Sequence, residues 1–82
     1  MFIIYGKPNC TYCDQAKALL ISKGLEFKEK IIDVGQPKVE GKEYVTVAQL
    51  KEVVPTATTV PQILEDGVLI GGFTQLKAKL VS

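Results

Sequence analysis

The chain predicts a single α/β domain over residues 1–82, with a four-stranded mixed sheet flanked by helices in the order β-α-β-α-β-β-α. Three observations carry this. A length of 82 residues leaves room for one hydrophobic core and not a second. The first two apolar strand-like runs are separated by a helix-patterned segment, as a parallel crossover requires. The last two flank Asp66-Gly67, a dipeptide suited to a type I′ hairpin turn.

The elements follow in order. "MFIIY" is an apolar run rich in strand formers and reads as a strand buried on both faces. From Thr11 to Lys23, Cys13, Ala16 and Leu20 recur at helical spacing with Leu19 beside them, and Gly24 is placed to end the helix. "EFKEKIID", residues 26–33, sets Phe27, Glu29 and Ile31 imperfectly against Lys28, Lys30 and Ile32, a strand pattern. "GQPKVEGKE", residues 35–43, is the one long polar interruption and reads as a surface loop. Thr46 and Gln49 then have capping-box spacing, and Val47, Leu50 and Val54 form an apolar stripe that stops before Pro55. After the hairpin in "PQILEDGVLIGG", Leu76, Leu80 and Val81 outline a short closing helix that begins near Phe73.

Composition narrows the function. With 46% apolar and 23% charged residues the chain has enough hydrophobic content to fold. A net charge of +1 argues against nucleic acid as a partner, since phosphate binding calls for a clustered basic surface. All ten cationic side chains are lysines, so an anion must be held by lysine, backbone N–H groups or hydroxyls rather than by a bidentate guanidinium. No apolar stretch approaches the roughly 20 residues that cross a bilayer, and "MFIIYGK" is too short and wrongly flanked for a signal peptide. The expectation is a cytoplasmic protein with no membrane partner. Disulfides seldom persist there as structural elements, so two cysteines point to catalysis or metal binding.

Both cysteines stand in "KPNCTYC", residues 7–13, where the first strand hands over to the first helix. N–H groups of a first helical turn lack intrahelical partners, and the helix dipole adds positive potential, so a thiolate is stabilised there. A free thiol has a pKa of about 8.5, which such a position or a C-x-x-C motif lowers to roughly 3.5–7.5. Cys10 is the expected attacking thiolate, with Cys13 one turn further in on the apolar face. Residues three apart on a helix come close enough to form a disulfide. Lys7 lies just before the motif, where its charge can favour the thiolate or meet an anionic substrate. A zinc site ordinarily takes four ligands, and the chain offers two cysteines and no histidine. A purely structural disulfide closing so small a loop would restrict the unfolded chain little.

"CTYC", "TVPQI" and "GGF", in this order, resemble the glutaredoxins, of the C-x-Y-C dithiol type within the thioredoxin fold. The resemblance runs over essentially the whole chain, and the absence of tryptophan sets it apart from a typical thioredoxin. It implies a glutathione-dependent thiol–disulfide oxidoreductase in which Cys10 is the nucleophile and Cys13 the resolving thiol. Glutathione, as reductant and substrate, would lie in a groove beside them, and no metal is expected. Its cysteinyl backbone would pair with Val60, next to Thr59 and a cis Pro61. Gly71 and Gly72 would let the chain approach closely, and the N–H groups of Phe73 and Thr74 would receive the γ-glutamyl carboxylate. Tyr12 and Lys7 would line the other end.

Two positions depart from the family pattern: Thr11 stands where proline is frequent, and Gln75 where an aspartate is common. Neutral Gln75 offers the α-ammonium of glutathione only a carbonyl oxygen. The expected partners are glutathione and disulfide-bearing proteins, with ribonucleotide reductase a candidate, and the expected state is a monomer. Two other readings fit the same residues. One is an electron donor to ribonucleotide reductase recharged by thioredoxin reductase. The other is a [2Fe–2S] carrier in which two chains and two glutathiones hold the cluster through Cys10.

Overall fold

The computed structural model describes residues 1–81. Ser82, the last residue of the expected domain, lies outside the described residues. The elements are β1 (Phe2–Gly6), α1 (Thr11–Ser22), β2 (Phe27–Ile32), β3 (Glu43–Val45), α2 (Val47–Val53), β4 (Gln62–Glu65), β5 (Val68–Gly71) and α3 (Phe73–Val81). They form one sheet of order β3-β2-β1-β4-β5. β1 runs parallel to β2, and β2 to β3, whereas β1–β4 and β4–β5 are antiparallel. The α/β class and the mixed sheet are as expected; the number of strands is five rather than four.

The added strand explains itself locally. Glu43, expected as the last loop residue, opens a three-residue strand whose partners are Lys30, Ile31 and Ile32. Its stretch is too short to show a period of two, and its outer residue is exposed. Pairing with β2 makes it a strand, and two side-chain contacts hold it there. Lys30 reaches Glu43 at 3.3 Å, and the Tyr44 hydroxyl accepts the Val39 N–H at 2.7 Å.

Alternation along the central strands divides the core in two. Phe2 and Ile4 of β1 join Ile63 of β4, Ala16 and Leu20 of α1 and Leu76 of α3 on one face. Tyr5 and Leu64 turn the other way, to Ile32, Leu50, Val54 and Ala57. Helices α1 and α3 therefore cover one face and α2 the other. Val47 and Val81 depart from the expected stripes, since both are exposed. Each is the terminal residue of its helix.

The ends of α1 are set by local chemistry. Gly24 has φ +69°, and the N–H groups of Gly24 and Leu25 donate to the carbonyls of Ile21 and Leu20, a Schellman closure that glycine permits. The hairpin places Asp66 at φ 51° and Gly67 at φ 83°, as a type I′ turn demands.

Candidate active site

β1 ends at Gly6, and the chain then turns through Lys7, Pro8 and Asn9 to enter α1. Asn9 has φ 58°, a left-handed conformation that asparagine tolerates better than most residues. That turn delivers Cys10 in extended geometry as the N-cap of α1. Its Sγ accepts the Cys13 N–H at 3.2 Å, so the sulfur takes the capping role that serine or aspartate oxygens commonly fill. Cys13 lies one turn in, and the two cysteines form a disulfide with their Cα atoms 5.2 Å apart. Cys10 is 9% exposed and Cys13 2%, so Cys10 is the less enclosed residue of the pair.

Gly6 makes room for the buried sulfur. A Cβ there would stand 3.0 Å from the Cys13 Sγ. Neither Gly6 nor Asn9 was expected as a site residue. The signals are present in the sequence, a glycine that ends an apolar strand and an asparagine directly before the motif, but their meaning depends on how the turn meets α1.

The segment before β4 meets the residues that flank the cysteines, since Thr59 and Val60 share one recess with Lys7 and another with Tyr12. Val60–Pro61 is cis, as the resemblance implies, and the Gln62 amide donates to the Thr59 carbonyl at 2.8 Å. Two recesses open on either side of Thr59 and Val60, which line both. One, of about 290 Å³, is walled by Tyr12, Thr59, Val60, Pro61, Gly72, Phe73, Thr74 and Gln75. The other, of about 420 Å³, lies under α2 and contains Lys7, Lys51, Thr58 and Thr59. The structure thus brings together the expected binding residues Thr59, Val60, Pro61, Gly72, Phe73, Thr74 and Gln75 in one recess and puts Lys7 in its neighbour. Tyr12 lines the recess at the α3 end, whereas Lys7 lines the other. Tyr12 stacks on Phe73, with ring centroids 6.1 Å apart and planes inclined by 29°. Lys51 and Thr58 line the lysine recess although the motif did not mark them.

Helix α3 starts directly from the first recess. Gln75 folds back so that its Oε1 accepts the Gly72 N–H at 2.9 Å, one half of a capping box. This return brings its side chain against Gly71, where a Cβ would fall 2.9 Å from the Gln75 Cγ. Gly71 also has φ 126°, a conformation that requires glycine. Gly72 is less demanding, since a Cβ there would make only ordinary contacts at 3.5 Å. Of the glycine pair, Gly71 is the one the backbone needs.

A charged cluster borders the Lys7–Asn9 turn on its other side. Lys17 of α1 reaches Glu29 of β2 at 2.6 Å and Asp14 at 3.6 Å, and Lys42 approaches Glu29 at 3.4 Å. Burial pulls the Lys17 ammonium down, but the hydrogen bond and charge of Glu29, helped by Asp14, outweigh it and raise its pKa. Burial likewise pushes the Glu29 carboxyl up, and Lys17 and Lys42 together bring it below its ordinary value. Glu29 is therefore held as a carboxylate and Lys17 as an ammonium.

Comparison with known proteins agrees with this geometry. The glutaredoxin family model matches residues 2–70. Glutaredoxin 3 of Escherichia coli (strain K12) is 43% identical over 77 residues, covering 92% of this chain and 80% of that protein. The crystal structure of glutaredoxin 1 from Francisella tularensis, complexed with cacodylate, superimposes with a TM-score of 0.71 at 30% identity over 95% of this chain and 88% of that one. The buckwheat glutaredoxin–glutathione complex shares the fold, with a TM-score of 0.63 at 20% identity over 95% of this chain and 66% of that one. With a capping Cys10, a buried Cys13 and a groove lined by the Tyr12 between them, the chain belongs to the glutaredoxin family of thiol–disulfide oxidoreductases.

Proposed function

We propose that the protein uses glutathione to reduce protein disulfides and glutathione mixed disulfides, as a monomeric single-domain enzyme of the cytoplasm. The observation that carries this is the placement of the cysteine pair, with Cys10 capping α1, Cys13 the more enclosed residue at 2% exposure against 9%, and Tyr12 between them lining the groove. In the reduced chain the Cys10 thiolate is stabilised by the Cys13 N–H and by the positive end of α1. It attacks one sulfur of a substrate disulfide, forms a mixed disulfide and expels the other sulfur as a thiolate. Cys13, as thiolate, then attacks the Cys10 sulfur, releases the second substrate thiol and leaves the Cys10–Cys13 disulfide. Two electrons have passed to the substrate.

Glutathione reverses the state of the enzyme. One glutathione thiolate attacks the Cys10 sulfur and frees Cys13; a second attacks the resulting mixed disulfide, giving oxidised glutathione and the Cys10 thiolate. On a glutathionylated substrate Cys10 suffices alone. Bound glutathione lies across Thr59 and Val60, the residues common to both recesses. Val60 precedes the paired residues of β4, so its main chain is outside the β1–β4 ladder and suits a strand-like contact with the ligand's cysteine. One carboxylate meets the N–H groups at the start of α3, and the other the Lys7 side.

The test is a coupled NADPH assay on the wild type and on Cys10→Ser and Cys13→Ser. With glutathione and glutathione reductase, Cys10→Ser is expected to lose both activities, and Cys13→Ser mainly protein-disulfide reduction. Deglutathionylation surviving in Cys10→Ser would overturn the assignment. Turnover only with thioredoxin reductase would make the protein an electron donor of the other kind, with ribonucleotide reductase as a candidate acceptor.

A further inference from the structure

Glutathione carries an α-ammonium beside its γ-glutamyl carboxylate, and the groove has little with which to meet it. Lys7 and Lys51 are the only charged side chains among the described residues that line the two recesses, and both are cations. Gln75 has the one side-chain carbonyl at the α3 end, and its Oε1 already accepts the Gly72 N–H at 2.9 Å. The acids beyond Gln75, in the recess on its far side, are engaged too. Glu65 pairs with Lys79 at 3.1 Å, and Asp66 with the N-terminal ammonium.

We infer that Gln75 is a positioning residue that shapes the start of α3, and that the site does not select for the α-ammonium of its thiol ligand. The substrate class is then wider than glutathione: disulfides of small thiols that place a carboxylate at the γ-glutamyl end, with or without the amino group. The physical basis is the asymmetry of what the groove presents. Donors and cations suit carboxylates at both ends, whereas strong selection of an ammonium calls for a negative charge, and the neutral Thr59, Thr74 and Gln75 oxygens supply none. Gln75 spends one of its two carbonyl lone pairs on capping its own helix, and the one that remains carries no charge. The inference rests on the glutathione reading and narrows it to the groups that are recognised.

The experiment compares three mixed disulfides of one peptide: with glutathione, with its des-amino analogue (glutaryl-Cys-Gly), and with its analogue lacking the α-carboxylate (4-aminobutyryl-Cys-Gly). Peptide release is followed with the wild type and with Gln75→Asp. For the wild type, kcat/KM for the des-amino substrate is expected within about twofold of that for glutathione. Loss of the carboxylate should lower it by about tenfold, the size of a charge-assisted hydrogen bond. Gln75→Asp should create a preference for glutathione over the des-amino substrate of about threefold or more, because it adds the missing charge. A wild-type drop with the des-amino substrate as large as that with the decarboxylated one overturns this inference and leaves the glutathione reading intact. An unchanged preference in Gln75→Asp also overturns it, since Gln75 would not be the controlling position. No release from any of the three overturns the glutathione reading together with it.

Discussion

A methyl group added at Gly6 would stand 3.0 Å from the Sγ of Cys13 and 3.3 Å from its Cβ. Cys13 is 2% exposed and tied to Cys10, so it has little freedom to step aside. Gly6→Ala is therefore an overpacking change aimed at one thiol, with an expected cost of about 1–3 kcal/mol. Urea unfolding of the oxidised protein measures the stability loss. The resolving step should suffer more than the nucleophilic one, because the clash falls on Cys13 and leaves Cys10 in its cap. Protein-disulfide reduction is expected to fall further than deglutathionylation in this variant, and an equal fall in both would contradict the local reading. The same scale holds the contrast between Gly71 and Gly72. Only Gly71 combines a positive φ with a side chain folded against it.

α2 is short, from Val47 to Val53, and two turns of helix are marginal without help. Its help is local. The Thr46 hydroxyl accepts the Gln49 N–H at 3.0 Å, and the Gln49 amide oxygen accepts the Thr46 N–H at 2.8 Å, a complete capping box. Leu50 and Val54, 5% and 3% exposed, then fasten the helix to the sheet beside Tyr5 and Ile32. Thr46→Ala is expected to cost about 1 kcal/mol. Because Val47, Leu50 and Lys51 of this helix line the lysine-bearing recess, the KM for glutathione should rise more than kcat falls. Thermal unfolding and steady-state kinetics on the same variant check the two effects separately. An unchanged melting temperature would show that packing alone holds α2.

Across the whole molecule, α1 and β2 are linked by a carboxylate–ammonium contact at the edge of the core. The Lys17–Glu29 pair is about three-quarters buried on each side, with side-chain exposures of 26% and 22%. The Glu29 carboxyl lies below its ordinary value in the folded chain, so its contribution is fully present above the unfolded value of about 4.3. It is lost as pH falls through the lower folded value. Lys17 is raised, so its share is present below the unfolded value of about 10.4 and lost as pH rises through the folded one. Glu29→Gln should therefore destabilise the protein at neutral pH, with the difference from wild type shrinking progressively below about pH 4. Equilibrium urea unfolding between pH 3 and 7 tests this, and a difference independent of pH would mean that the loss comes from packing.

The elements that announced themselves were those with strong local causes. The Gly24 closure of α1, the Thr46–Gln49 box and the Asp66-Gly67 turn depend on residues within a few positions of one another, so spacing alone revealed them. The cysteine pair was legible for the same reason, because a capping sulfur and its partner one turn on are a local arrangement. The binding residues were marked by motif resemblance rather than by periodicity. Three features needed the folded chain. Strand β3 exists because β2 offers it a ladder, and three residues around Tyr44 carry too little pattern to declare it. Tyr12 meets Phe73 only because α1 and α3 share one face of the sheet, which puts it in the recess at the α3 end. The demand for a glycine at position 6 comes from Cys13, whose sulfur approaches β1 once α1 packs. Sequence by itself determined the caps, the turns, the order of the longer elements and the redox pair, since short-range sterics and hydrogen bonding act before any distant contact forms. Tertiary structure decided which side chains share a wall of the groove, because those distances depend on how helices and strands far apart in the chain are packed.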